Sequence, residues 1–179
     1  MSKYRSTGGL TLRSWPLLGN KGFPCKVARK SLELSTKMNI KRLILAIVVA
    51  FVALWGTDFL IHGIWMMPDY RATQSLWRPE AEMGSYMGWM LCAQLLFVIT
   101  FVLVWAKGFA SSTTRISCAI GYGLLMGLFS GVWAIIMYVV VPMPCSIAAK
   151  WFFAGIGQTI LLALVTFWIY KPSVHATAT

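Results

Sequence analysis

The chain has 179 residues and a net charge of +11, with 58% apolar and 12% charged residues, where soluble domains run at about 45–50% apolar and about 25% charged. One small soluble core cannot absorb that much apolar surface, but a bilayer can: a span needs roughly 20 apolar residues, so four spans with their loops fill most of the length as one membrane domain. The surplus of Lys and Arg is accompanied by no nucleic-acid-binding pattern, so the expected partner is the lipid bilayer and not nucleic acid.

Residues 1–42 hold ten of the sixteen Lys and Arg against a single acid, Glu33. Residues 1–37 lack helical or strand periodicity and read as a disordered basic extension. Three origins fit it. Met38 begins M-N-I-K-R followed directly by an apolar run, as a native initiator would. The extension also fits a cytoplasmic tail, and its Arg- and Ser-rich, acid-poor composition fits a targeting segment.

The first predicted helix runs from about Ile40 to Met67 and is ended by Pro68. The second runs from about Ser85 to Ala106, closed by Lys107-Gly108. The third runs from about Arg115 to Val141 and stops at Pro142-Met143-Pro144. The fourth runs from about Ser146 to Tyr170 and stops at Lys171-Pro172, leaving a polar tail over 172–179. The fold class is therefore all-α, a polytopic four-transmembrane-helix bundle spanning 38–171.

Lys107, Arg115 and Lys171 join the N-terminal cluster on one side of this scheme, thirteen Lys and Arg in all. Three (Arg71, Arg78 and Lys150) fall on the other, with Asp69, Glu80 and Glu82. The positive-inside rule then predicts cytoplasmic termini. Aromatics form two expected interfacial belts: Trp65, Trp77, Tyr86, Trp89, Tyr138 and Trp151 outside, and Trp105, Tyr122, Trp168 and Tyr170 inside. The second and fourth helices share a register from Gln94 to Lys107 and from Gln158 to Lys171. That register fits two repeated helical hairpins, although apolar helices also converge by composition alone.

Two rows of small residues stand out. Ala119, Gly123, Gly127 and Gly131 recur every four residues on the third helix. Gly84, Gly88 and Cys92 make a shorter row on the second. Such rows let helix backbones approach closely, either within the bundle or against a homo-oligomer or a larger membrane complex. Ala134 lies off the longer row.

The leading polar candidates are Asp58 and His62, four apart on the first helix, with Gln94 at nearly the depth of Asp58. Asp58 lies roughly 6 Å and His62 roughly 12 Å outward of the helix midpoint, at about 1.5 Å per residue. An ionisable group inside a span is costly and is usually neutral, paired or wetted. Asp58 therefore reads as a polar clasp to His62 and Gln94, or to Arg71 or Arg78 folding back, or else as a proton, ion or ligand site.

The outer loop, with Tyr70, Arg71, Trp77, Arg78, Glu80 and Glu82, reads as an interfacial cap or as a lid over Asp58. Pro79, Glu80 and Glu82 look like a helix first turn, with acids at its positive end. Cys25, Cys92, Cys118 and Cys145 are scattered packing residues. No metal site, cofactor or catalytic residue is expected: motifs for acyl transfer, zinc hydrolysis, phosphate loops and dinucleotides are missing.

The stretch from Asp58 to Met83, above all D-x-x-x-H-G and L-W-R-P-E, resembles a family of small bacterial four-helix membrane proteins without an assigned activity. The likeness covers about residues 38–171. It implies the fold and an inner-membrane location, and it carries over no catalytic residue. The functional expectation is a non-enzymatic accessory or structural membrane subunit. The alternatives are a small transporter or proton-coupled permease centred on Asp58, and a membrane enzyme.

Overall fold

The computed structural model describes residues 38–111 and 114–171. The expected extension 1–37 and tail 172–179, with Cys25 and His175, lie outside the described residues.

Helix α1 covers Ile40–Asp58 and is capped by Asn39, whose side chain accepts from the Arg42 amide at 3.2 Å. It continues as a π-helical segment, Phe59–Trp65. Pro68 does not simply end the span: it sits in the first turn of a short helix, α2 (Met67–Ala72), where its missing N–H costs nothing. A 3-10 turn at Gln74–Leu76 leads on to α3 (Glu80–Gly108), then α4 (Ile116–Val140) and α5 (Cys145–Ile169). Pro79 and Pro144 stand at the N-caps of α3 and α5. The predicted first turn at Glu80 and Glu82 is thus continuous with the second span. There is no strand among the described residues, and four helices are long and apolar enough to cross a membrane. The protein is a multi-pass, all-α membrane protein.

The four spans run alternately up and down. The basic end of the bundle holds the start of α1 and the ends of α3 and α5; the loop end holds α2. Two cores stack along the axis. The larger, toward the basic end, draws on all four spans, with Ala46, Ala50, Val98, Phe101, Trp105, Ala119, Tyr122 and Leu162 among its members. The smaller, at the loop end, gathers Met66, Met143, Ile147 and Ala148, with Tyr70, Leu76, Trp77 and Trp151 packed against them. No α3 residue belongs to it.

The closest helix pair is α4–α5. Ala119, Gly123, Gly127 and Gly131 are all buried. A Cβ on Gly123 would come 2.6 Å from Ile160 Cα, one on Gly127 would come 2.8 Å from Ile156 Cα, and one on Gly131 would come 2.8 Å from the Phe152 ring. Backbone thus lies directly on backbone, and glycine is required for that approach. This row is consumed inside the chain. Ala134 is also buried and is no lipid-facing position. Large apolar residues such as Phe129, Val139 and Trp89 point outward.

One expected belt is corrected. Trp105, Tyr122 and Tyr170 are core residues, each at most 3% exposed. Aromatic residues near a span end suit an interface, but the Trp105 and Tyr122 rings pack on each other and on Phe109, Tyr122 packs on Phe101 as well, and Tyr170 belongs to the same core. Tyr122 satisfies its hydroxyl by donating to the Phe101 carbonyl at 2.6 Å. Of the expected inner belt, Trp168 is exposed.

Candidate functional site

Asp58 closes α1 where the α-helical turns give way to the π turn, an irregularity that recurs at functional sites. Its carboxyl group is shared between two helices. Oδ2 accepts from Gln94 Nε2 of α3, and Oδ1 accepts from Gln158 Nε2 of α5 at 2.7 Å. The Gln158 amide also lies 2.7 Å from Thr57 Oγ1 and 3.3 Å from the Leu54 carbonyl. One amide nitrogen has two hydrogens for these three oxygens, so they compete for it. Gln94 Oε1 is buried with no partner among the described residues.

The site is a polar node between the two cores that ties α1 to α3 and α5 through neutral donors. No Lys, Arg or His among the described residues bonds to Asp58. Both glutamines come from the register shared by the second and fourth helices. Gln158 was visible in that register, yet no local signal in the sequence linked it to Asp58.

His62 is not the partner of Asp58. Its Nδ1 lies 2.6 Å from the Tyr70 hydroxyl, which also accepts from Trp151 Nε1 at 2.7 Å and stands 3.6 Å from Met66 Sδ. The four-residue spacing brings Asp58 and His62 to neighbouring turns, but each finds its partners elsewhere: amides across the bundle for the carboxyl, a phenol from the loop for the imidazole. Tyr70 has one proton for two acceptors, His62 and Met66. Burial pushes the Tyr70 phenol up from its ordinary value.

The outer loop packs against the start of α5. Trp77 packs edge-on against Tyr70 and tilted against Trp151, at 5.4 and 5.8 Å. Its indole donates to Thr73 Oγ1 at 2.9 Å. Lys150 of α5 holds Asp69 at 2.6 Å. Arg78 pairs loosely with Glu82 at 3.9 Å and lies over the Tyr86 ring. Arg71 and Glu80 are exposed, and neither Arg71 nor Arg78 turns back to Asp58.

The shorter row of small residues has no partner within the chain. A Cβ on Gly84 or Gly88 would meet open space, and Cys92 is exposed. Every residue from Glu80 to Met90 is exposed, so this part of α3 has no face turned to the bundle. The first fully buried α3 residue is Val98, one turn beyond Gln94.

Chemically, the Asp58 node can bind helices together and can hold a proton. No group of three His, Cys, Asp or Glu side chains that could hold a metal comes together among the described residues. Of the described cysteines, Cys118 is buried, while Cys92 and Cys145 are exposed and do not serve core packing. No family model, curated protein or solved structure matches the chain. The resemblance to small bacterial four-helix membrane proteins therefore gains no support from these comparisons.

Proposed function

We propose that the protein is a non-enzymatic subunit of the bacterial inner membrane, both termini cytoplasmic, which joins a partner through the outer half of α3. The observation that carries this reading is the exposure of α3 from Glu80 to Met90 on every side, with open space over Gly84 and Gly88. A helix that joins the bundle only from about Gln94 inward leaves a close-approach row unused, and small residues in such a row favour helix association in lipid. The thirteen-to-three distribution of Lys and Arg supports the orientation.

Cys92 lies on that surface and supplies the probe. In a variant with Cys25, Cys118 and Cys145 replaced by Ala, a membrane-permeant maleimide–benzophenone reagent, added to the Cys92 thiol and then photoactivated to insert into a neighbouring C–H bond, should join Cys92 to a partner in intact membranes. Mild-detergent purification should then bring down a stoichiometric complex. A chain that purifies alone with no Cys92 adduct sinks the proposal. Reporter fusions at Ser75, Lys107 and Lys171 test the orientation: a periplasmic signal at Lys171 would reverse it.

A second reading rests on Asp58. Its partners are two neutral amides, and no cation bonds to it among the described residues, which supports Asp58 as the centre of a small transporter or proton-coupled permease. Under that reading Asp58→Asn assembles normally but loses proton-coupled flux in reconstituted vesicles, whereas unchanged flux removes Asp58 from any transport role.

A further inference from the structure

The loop end of the bundle carries a hydrogen-bond network centred on one phenol. The Tyr70 hydroxyl stands between His62 Nδ1 at 2.6 Å, Trp151 Nε1 at 2.7 Å and Met66 Sδ at 3.6 Å. The number of protons fixes their roles. An indole N–H only donates, so the Tyr70 oxygen accepts from Trp151 and its own proton points elsewhere. A neutral imidazole has one bare nitrogen, a far better acceptor than a thioether sulfur. In the neutral network Tyr70 therefore donates to Nδ1, and the ring proton of His62 sits on Nε2.

The same atoms form a second complete network. Once a proton from water binds Nδ1, that nitrogen can only donate, and the Tyr70 oxygen is the group in reach. Tyr70 keeps its own proton and turns it to Met66 Sδ, while its oxygen accepts from both His62 and Trp151. In neither state is a donor on Tyr70, Trp151 or Nδ1 left without an acceptor. The two ends of the network lie in different surroundings. His62 is exposed, roughly 12 Å outward of the helix midpoint at about 1.5 Å per residue and close to the edge of a hydrocarbon core about 30 Å thick. Met66 is fully buried, in the loop-end core with Met143 and Ile147. Few charges surround the imidazole. Asp58 lies four residues back on its own helix, held by two amides. From α2 come Tyr70 and Asp69, and from α5 comes Lys150, which Asp69 holds at 2.6 Å. Met137 and Val141, packed on this core from the end of α4, do not titrate, and α3 adds no residue to it.

We propose that His62 and Tyr70 form a proton-operated switch: protonation of the exposed imidazole turns the Tyr70 hydroxyl from His62 to Met66, and so carries the pH at the loop end into the buried core beneath it. The two states differ by one proton on His62 and by the direction of one O–H bond. This goes beyond the subunit reading and does not depend on it.

The chain has two histidines, His62 and His175, so His175→Gln leaves His62 as the single signal in a nitrogen NMR spectrum of the full chain in mild detergent. The methionine methyls, labelled with carbon-13, report the other end, with Met66→Leu identifying the Met66 resonance. At about pH 8 the spectrum should show neutral His62 with its proton on Nε2 and an unprotonated Nδ1. As pH falls from about 8 to about 5, the range in which histidine ordinarily titrates, Nδ1 should become protonated and the Met66 methyl should shift with the same midpoint. Met143, in the same core but outside the network, should stay fixed. In Tyr70→Phe the imidazole still titrates, but the Met66 shift should be lost and neutral His62 should show both tautomers. Neutral His62 with its proton on Nδ1, a His62 that stays uncharged down to about pH 5, a Met66 methyl that ignores the titration, or one that shifts as far in Tyr70→Phe overturns the proposal. The tautomer and the shared midpoint are read without any change at Tyr70, so they decide the matter even if Tyr70→Phe fails to fold.

Discussion

Helices α3 and α4 each carry a row of small residues, and the two rows have opposite fates. On α4, Gly123 and Gly127 lie against the α5 backbone so closely that no Cβ fits. On α3, Gly84 and Gly88 face open space. A row of glycines therefore encodes the capacity for close approach, not the identity of what approaches. That identity depends on whether a complementary backbone is within reach. The turn Val141–Pro144 brings α5 straight back along α4, whereas α3 meets the rest of the bundle only from Gln94 inward.

The largest effect should come from breaking the used row. Gly127→Leu drives a side chain into Thr159 and the Ile156 backbone. It should lower the stability of the detergent-solubilised protein by about 3 kcal/mol or more, the upper end of overpacking costs. The lipid-facing control Phe129→Leu should change little. A Gly127→Leu protein that melts like wild type would mean that α4 and α5 do not pack as described.

The Asp58 node comes next, because it is where α3 joins the bundle. Asp58→Leu leaves the Gln94 amide without an acceptor, whereas Gln158 keeps Thr57. A single stranded buried donor costs about 1–3 kcal/mol, and the loss should appear as earlier thermal release of α3, followed by protease cleavage in the outer loop. Asp58→Asn retains one acceptor oxygen and should lose about 1 kcal/mol or less. Equal stability of the Leu variant and wild type would remove the node from the packing account.

The unused row should respond in the opposite sense to α4. Gly88→Leu should leave stability within about 0.5 kcal/mol of wild type, as exposed substitutions do, yet abolish cross-linking from Cys92 to a partner. A large loss of stability with cross-linking intact would show that the α3 row packs within the chain after all.

The smallest effect concerns the loop end. Tyr70→Phe removes the hydroxyl shared by His62 and Trp151, at a cost of about 0.5–1.5 kcal/mol. Burial raises the Tyr70 pKa above its ordinary value, so the folded state favours the neutral phenol. Its contribution is complete below the ordinary phenol range and is lost as pH climbs through it and beyond. A thermal-stability series into the alkaline range should fall less steeply for Tyr70→Phe than for wild type. Parallel curves would show that this phenol does not titrate with unfolding.

Composition, apolar run length and proline positions were enough by themselves to determine four membrane-crossing helices, because a bilayer demands about 20 apolar residues per span and satisfied backbone hydrogen bonds within each. The rows of small residues on α3 and α4 were equally legible, as was the intramembrane carboxyl of Asp58. Tertiary structure alone decided the pairings. It gave Asp58 to Gln94 and Gln158 and gave His62 to Tyr70, although i,i+4 spacing had suggested that the two pair with each other. It took Trp105 and Tyr122 from an expected interfacial belt into the core, and it filled one glycine row while leaving the other open. The physical reason is common to all of these. Local spacing sets which groups can meet on one helix, but a hydrogen bond or a close packing goes to the partner that the fold brings nearest, 8 residues along the chain for His62 and 36 and 100 residues away for Asp58.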